Sequence, residues 1–180
     1  MIKVIAFDLG GTLLREKINF SEESKFLVPL FDDDKYYNLA IKHFRATKRL
    51  VDKIVDEVIE ETFELRDRNV FTSFSGFDLA IASNFTSRMR NFLEEQNVLQ
   101  YFKTVVISAE IGVNKPDPKF FKILAKKIGE EPKNILFVDN LQVNVDAAEK
   151  LGFKILKYNE GEDLVKVVQG KLKKLSSREN

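Results

Sequence analysis

The sequence predicts an α/β fold: a central, mostly parallel sheet between layers of helices, interrupted early by a small helical insertion. Short apolar runs at residues 2–7, 77–82, 104–108, 135–138 and 153–156 alternate with stretches of helical periodicity. The first and fourth runs stop abruptly at carboxylates, Asp8 and Asp139. Between residues 15 and 70 the patterning is helical and no strand is expected. The expected division is a core of residues 1–14 and 76–180, with 15–75 as the insertion.

Length and composition narrow the classes. A chain of 180 residues with 44% hydrophobic content is one domain with a real core. A net charge of +1 supplies no bulk field pointing to nucleic acid or a membrane. The absence of cysteine excludes disulfides and thiolate metal ligands. No apolar run reaches membrane-spanning length and no signal-peptide pattern is present, so a soluble cytoplasmic protein, monomer or homodimer, is expected.

Taken in order, Ile2-Lys3-Val4-Ile5-Ala6-Phe7 reads as a strand buried on both faces. Gly10 and Gly11 after it allow a sharp turn and close approach to a ligand. A short helix is expected from Ser21, and another from Lys35 to Lys48, preceded by Asp32-Asp33-Asp34. The triplet reads as an N-cap with charges suited to a helix start, in preference to a metal site. Val51, Ile54, Val55, Val58, Ile59 and Phe63 recur at helical spacing, with an acidic opposite face read as solvated. Residues 69–76 are too short and too rich in Ser and Gly for a full helix. Beyond the strand at 77–82, helices are expected at 88–95, from Pro118 to Gly129, after Asp139 to Gly152, and at 164–175. Asp117 and Pro118 form a cap and first turn for one of these.

Asp8, Ser83, Lys115 and Asp139 lie at strand ends or in the loops beyond them, and in a parallel sheet those ends share one edge. The set suits attack on a phosphate ester. Asp8 can act as nucleophile and form an aspartyl-phosphate. Lys115 offsets the negative charge of the phosphate. A magnesium ion held by Asp8, Asp139 and the Gly10 carbonyl would add a second cation. Thr12, Ser83 and the backbone amides of the glycine turn at Gly11 can donate to phosphate oxygens.

Phe7-Asp8-Leu9-Gly10-Gly11-Thr12-Leu13 resembles the first motif of the haloacid dehalogenase-like hydrolase superfamily. Ile81-Ala82-Ser83-Asn84 resembles the second, which adds Asn84 to the expected substrate contacts. Gly112-Val113-Asn114-Lys115-Pro116-Asp117-Pro118 resembles the third, and Phe137-Val138-Asp139-Asn140 with Asn144-Val145-Asp146-Ala147-Ala148 the fourth. The resemblance implies a Rossmann-like three-layer core, magnesium dependence, an aspartyl-phosphate intermediate and a small phosphorylated substrate. The helical insertion falls where this superfamily carries its cap.

Three departures stand out. Gly10 occupies the position where phosphatases of this superfamily place a second aspartate, the acid for the leaving group. Asn140 and Asn144 stand where a further carboxylate is usual. The stretch before residue 77 is remodelled. His43, the one histidine, reads as surface or packing, and Arg45, Lys48 and Arg49 as a solvated basic face. Alternatives to the phosphatase are an impaired relative that binds phosphate or a partner, and a metal-independent 2-haloacid dehalogenase.

Overall fold

The computed structural model describes residues 1–18, 21, 38, 39, 42 and 47–177. The acidic triplet at Asp32–Asp34, most of the helix expected over 35–48, His43 and Arg45 lie outside the described residues.

The main sheet holds β1 (Val4–Phe7), β4 (Asp78–Ser83), β5 (Phe102–Ile107), β6 (Ile135–Asp139) and β7 (Lys154–Lys157), in the order β5-β4-β1-β6-β7 and parallel throughout. β1 is buried along its whole length, as its unbroken apolar run predicts. Its alternate residues feed two cores. Ile5 and Phe7 point to a cluster with Leu79, Ile81, Leu136 and Val138. Val4 and Ala6 face the other side with Ala80, Ala82 and Phe137. The small Ala6, Ala80 and Ala82 leave room there for Phe120 and Phe121, whose rings meet edge to face at 5.6 Å.

Helices cover both faces: α1 (Lys48–Thr62), α3 (Met89–Glu95) and α7 (Leu164–Ser176) on the first, α5 (Pro118–Ile128) and α6 (Gln142–Lys150) on the second. Two single-turn helices, α2 (Val70–Ser73) and α4 (Ser108–Ile111), also occur. Asp117 caps α5 by accepting from the Lys119 amide at 2.8 Å, with Pro118 in the first turn.

The insertion departs from expectation. Two strands occur there, β2 (Leu14–Glu16) and β3 (Phe63–Leu65), paired antiparallel with Leu14 opposite Leu65. Three residues are too few to display a strand's alternation, so the sequence pattern hides them. The acidic side of α1 is not simply solvated either. Asp56 accepts from Arg88 Nε at 2.8 Å and pairs with its Nη2, which ties α1 to the start of α3. Val51, Val55, Val58 and Ile59 of α1 join the same hydrophobic cluster as the sheet.

Candidate active site

The sheet register builds the site. Phe7 stands opposite Val138, so Asp8 and Asp139 emerge side by side from adjacent parallel strands. The Asp8 amide donates to the Val138 carbonyl at 2.9 Å, which holds that register past the strand end. On the other flank Phe7 stands opposite Ile81, two residues short of Ser83. Connections run outward from β1 to β4 and β5, then return to β6 and β7 on the other side. Asp8 therefore sits where the strand order reverses, the place where open α/β sheets form their ligand crevice.

Two buried carboxylates at adjacent strand ends demand a cation. Lys115 supplies it. Its Nζ lies 2.8 Å from Asp8 Oδ1 and 2.6 Å from Asp139 Oδ2, and its side chain is 1% exposed. Asn84 aims the lysine: its Nδ2 donates to the Lys115 carbonyl at 2.8 Å, and its Oδ1 accepts from the Lys115 amide at 2.7 Å. The Phe85 amide donates to Ser108 Oγ at 3.0 Å, so the loops after β4 and β5 are tied together.

Ser83 Oγ donates to Asp8 Oδ1 at 2.9 Å. With Lys115 also on Oδ1, the Asp8 Oδ2 atom takes no hydrogen bond among the described residues. Burial pushes the Asp8 carboxyl above its usual range; the Lys115 charge pulls it back, the Asp139 charge raises it, and the Lys115 and Ser83 hydrogen bonds lower it. Asp139 is held from behind: its Oδ1 accepts from the Leu141 amide at 2.8 Å, and Asn144 Nδ2 lies 3.2 and 3.1 Å from its two oxygens.

Gly10 and Gly11 line a cleft of about 640 Å³ together with Asp8, Ser83, Asn84 and Lys115. Gly11 has φ +70°, and a Cβ there would stand 2.2 Å from Asn140 Nδ2, so only glycine lets the turn approach Asn140 this closely. Gly10 meets nothing within 4 Å of an added Cβ. A larger cavity of about 810 Å³, between Phe74, Phe77 and α7, contains none of these residues.

One expected substrate contact lies away from the cleft, and another holds Lys115. Thr12 is fully buried and does not line the cleft, and its Oγ1 has no hydrogen-bond partner among the described residues. Its amide folds back on the Leu9 carbonyl at 3.1 Å, which turns the side chain inward. Asn84 lines the cleft, but both ends of its amide are committed to Lys115. Lys48 and Arg49 do not line the cleft, and Lys48 pairs with Asp52 at 3.0 Å. Sequence reasoning missed Asn144 as the support of Asp139. The signal was its place in the first turn of α6, five residues on, where a side chain can reach back to the strand end.

No cluster of three or more His, Cys, Asp or Glu side chains suited to a metal occurs among the described residues. The donors at the cleft still fit magnesium. Asp8 at the cleft and the buried Asp139 beside it offer carboxylate oxygens, and Asn140 Oδ1 is buried at the cleft without a hydrogen-bond partner among the described residues. Magnesium is commonly held by one or two carboxylates with phosphate oxygens and water completing its shell.

Residues 20–152 match the family profile of the haloacid dehalogenase-like hydrolases. The chain belongs to this family. The HAD-like hydrolase is 27% identical over 176 residues to a phosphoglycolate phosphatase of Aquifex aeolicus, covering 85% of this chain and 83% of that one. It is 33% identical over 88 residues to a glyceraldehyde 3-phosphate phosphatase of Methanopyrus kandleri. That match covers 48% of this chain and 38% of the relative, so the chain spans well under half the length of that protein. The fold is shared with a HAD family enzyme of Bacteroides thetaiotaomicron solved with magnesium and inorganic phosphate. There the TM-score is 0.69 at 18% identity, over 91% of this chain and 97% of that one.

Proposed function

We propose that this HAD-like hydrolase is a magnesium-dependent phosphohydrolase acting on a small phosphorylated metabolite through an aspartyl-phosphate at Asp8. One observation carries the reading: a buried carboxylate with one oxygen fixed by Ser83 and Lys115 and the other without a hydrogen bond among the described residues, at the floor of a cleft. In this reading Asp8 Oδ2 attacks phosphorus, the ester P–O bond breaks, and the leaving oxygen takes a proton from solvent water as the alcohol departs. Water then attacks the phosphorus, releasing inorganic phosphate and restoring the carboxylate. Lys115 balances charge on the phosphoryl oxygens, and Ser83 keeps Asp8 in its rotamer. Asp8, the Gly10 carbonyl and Asp139 would hold magnesium, with Asn140 Oδ1 beside them. When bound, that ion supplies Lewis-acid stabilisation of phosphoryl charge. Residues 15–75 serve as the cap on a core of 1–14 and 76–180.

Gly10 brings no acid to the leaving group, so esters with good leaving groups, such as acyl phosphates and sugar 1-phosphates, are the first class to assay. The relatives named above are phosphatases of small phosphorylated acids and aldehydes, which supports the substrate size. The test is turnover of acetyl phosphate and p-nitrophenyl phosphate with magnesium, with chelator, and with Asp8→Asn. Activity that needs magnesium and vanishes in Asp8→Asn is expected. Turnover that survives Asp8→Asn rejects the mechanism. The missing acid favours one other reading, a module that binds phosphate without cleaving it; tight phosphate binding with no turnover would select it.

A further inference from the structure

We infer that the cleft selects its substrate by charge, taking phosphate esters whose organic half is neutral or cationic and disfavouring those that carry a carboxylate. This rests on the phosphohydrolase reading and deepens it. Beyond Asp8, the charged residues lining the cleft are Glu16 of β2, Glu160 after β7, and Lys115. Lys115 is the one cation lining it among the described residues, and its ammonium is already shared by Asp8 and Asp139. It faces the phosphate end and is too buried to reach outward.

Arg66 is the partner of Glu160, which leaves Glu16 as the unpaired charge of the outer cleft among the described residues. Arg66 donates from Nη2 to Glu160 Oε1 at 2.7 Å and from Nε to the Thr12 carbonyl at 3.1 Å, and its guanidinium lies 5.5 Å from the Tyr158 ring centroid. Glu16 is exposed and its side chain has no hydrogen bond or ion pair among the described residues. Phe63 and Phe85, with ring centroids 5.4 Å apart, add an apolar wall. A hydroxyl on the organic half can donate to these carboxylates, and an ammonium can pair with them. A carboxylate there meets the Glu16 charge with no unpaired counter-ion lining the cleft among the described residues. Charges closer than the screening length of about 8–10 Å still feel one another, so that difference reaches binding.

The test uses three near-isosteric esters: phosphoglycolate, 2-hydroxyethyl phosphate and phosphoethanolamine. Two quantities are measured, kcat/KM of the full chain with magnesium and Kd on the Asp8→Asn variant by calorimetry. At low salt the neutral and cationic esters are expected to exceed phosphoglycolate by about tenfold, a ratio that shrinks as salt rises toward molar concentrations. Kd on Asp8→Asn is read without turnover, so its ranking of the three esters carries no leaving-group effect. Glu16→Gln should compress the ratio and Glu16→Lys invert it. Equal or better use of phosphoglycolate, or a ratio untouched by Glu16→Lys, overturns the inference. Failure to hydrolyse any ester, acetyl phosphate included, counts against the phosphohydrolase reading, and the ranking of Kd values on Asp8→Asn still decides charge selection.

Discussion

Lys115 Nζ lies 2.8 Å from Asp8 Oδ1, although 107 residues separate the two in sequence. The same ammonium is 2.6 Å from Asp139 Oδ2. Removing it leaves two buried carboxylates side by side. Lys115→Met is expected to cost about 3–5 kcal/mol, read by urea denaturation, and to abolish turnover. A cost below about 1 kcal/mol would mean that the carboxylates take up a proton in its place.

Two carboxylates and one ammonium leave this buried site with one net negative charge. Burial holds the Asp8 pKa above its ordinary 3.8. The folded chain then binds the proton more tightly than the unfolded chain. Wild-type stability therefore falls as pH rises from the unfolded value through the raised folded one, and the full penalty persists above it. In metal-free solution Asp8→Asn should melt a few degrees above wild type at pH 7 while losing turnover. That gap should close as the pH falls toward 4. Thermal melts of both proteins across this range check it, and a lower melting temperature for Asp8→Asn at pH 7 contradicts it.

Adjacent glycines should respond in opposite ways. Gly10 faces open space, so Gly10→Asp can place a carboxyl at the cleft without a clash. A rise in kcat of about 10²–10⁴ on alkyl phosphates is expected, with little change on acetyl phosphate, which needs no acid. Gly11→Ala drives a methyl into Asn140 and strains a φ of +70°. It should destabilise the chain by about 1–3 kcal/mol and lose activity.

Asn144 offers a way to read metal affinity without turnover. Its amide lies 3.1 Å from Asp139 Oδ2 and 3.2 Å from Oδ1. Asn144→Asp exchanges a donor for a third carboxylate. The metal-free variant should melt below wild type, and added magnesium should raise its melting temperature by more than it raises that of wild type. An equal magnesium response in both proteins would place the ion away from Asp139.

The strands of the main sheet were legible because each is built on a short apolar run, and the cap of α5 because Asp117-Pro118 states it locally. β2 and β3 were not, being three residues each and paired across the insertion. The acidic face of α1 read as solvated, since nothing near it in sequence announces Arg88 as the partner of Asp56. Asn84 entered as a substrate contact through the resemblance of its motif, and nothing local announces that its amide also holds the Lys115 peptide 31 residues away.

Local patterning set the alternation of strand and helix and the polar residues that end the strands, because hydrophobic period and capping act over a few neighbouring residues. Tertiary structure decided what those residues do to one another. Parallel register set Asp8 beside Asp139, and the tied loops brought Lys115 between them. A turn folded on Leu9 sent Thr12 inward and left Gly10 open to the cleft. Such relations join segments far apart in the chain, and strand pairing with burial, not local propensity, selects them.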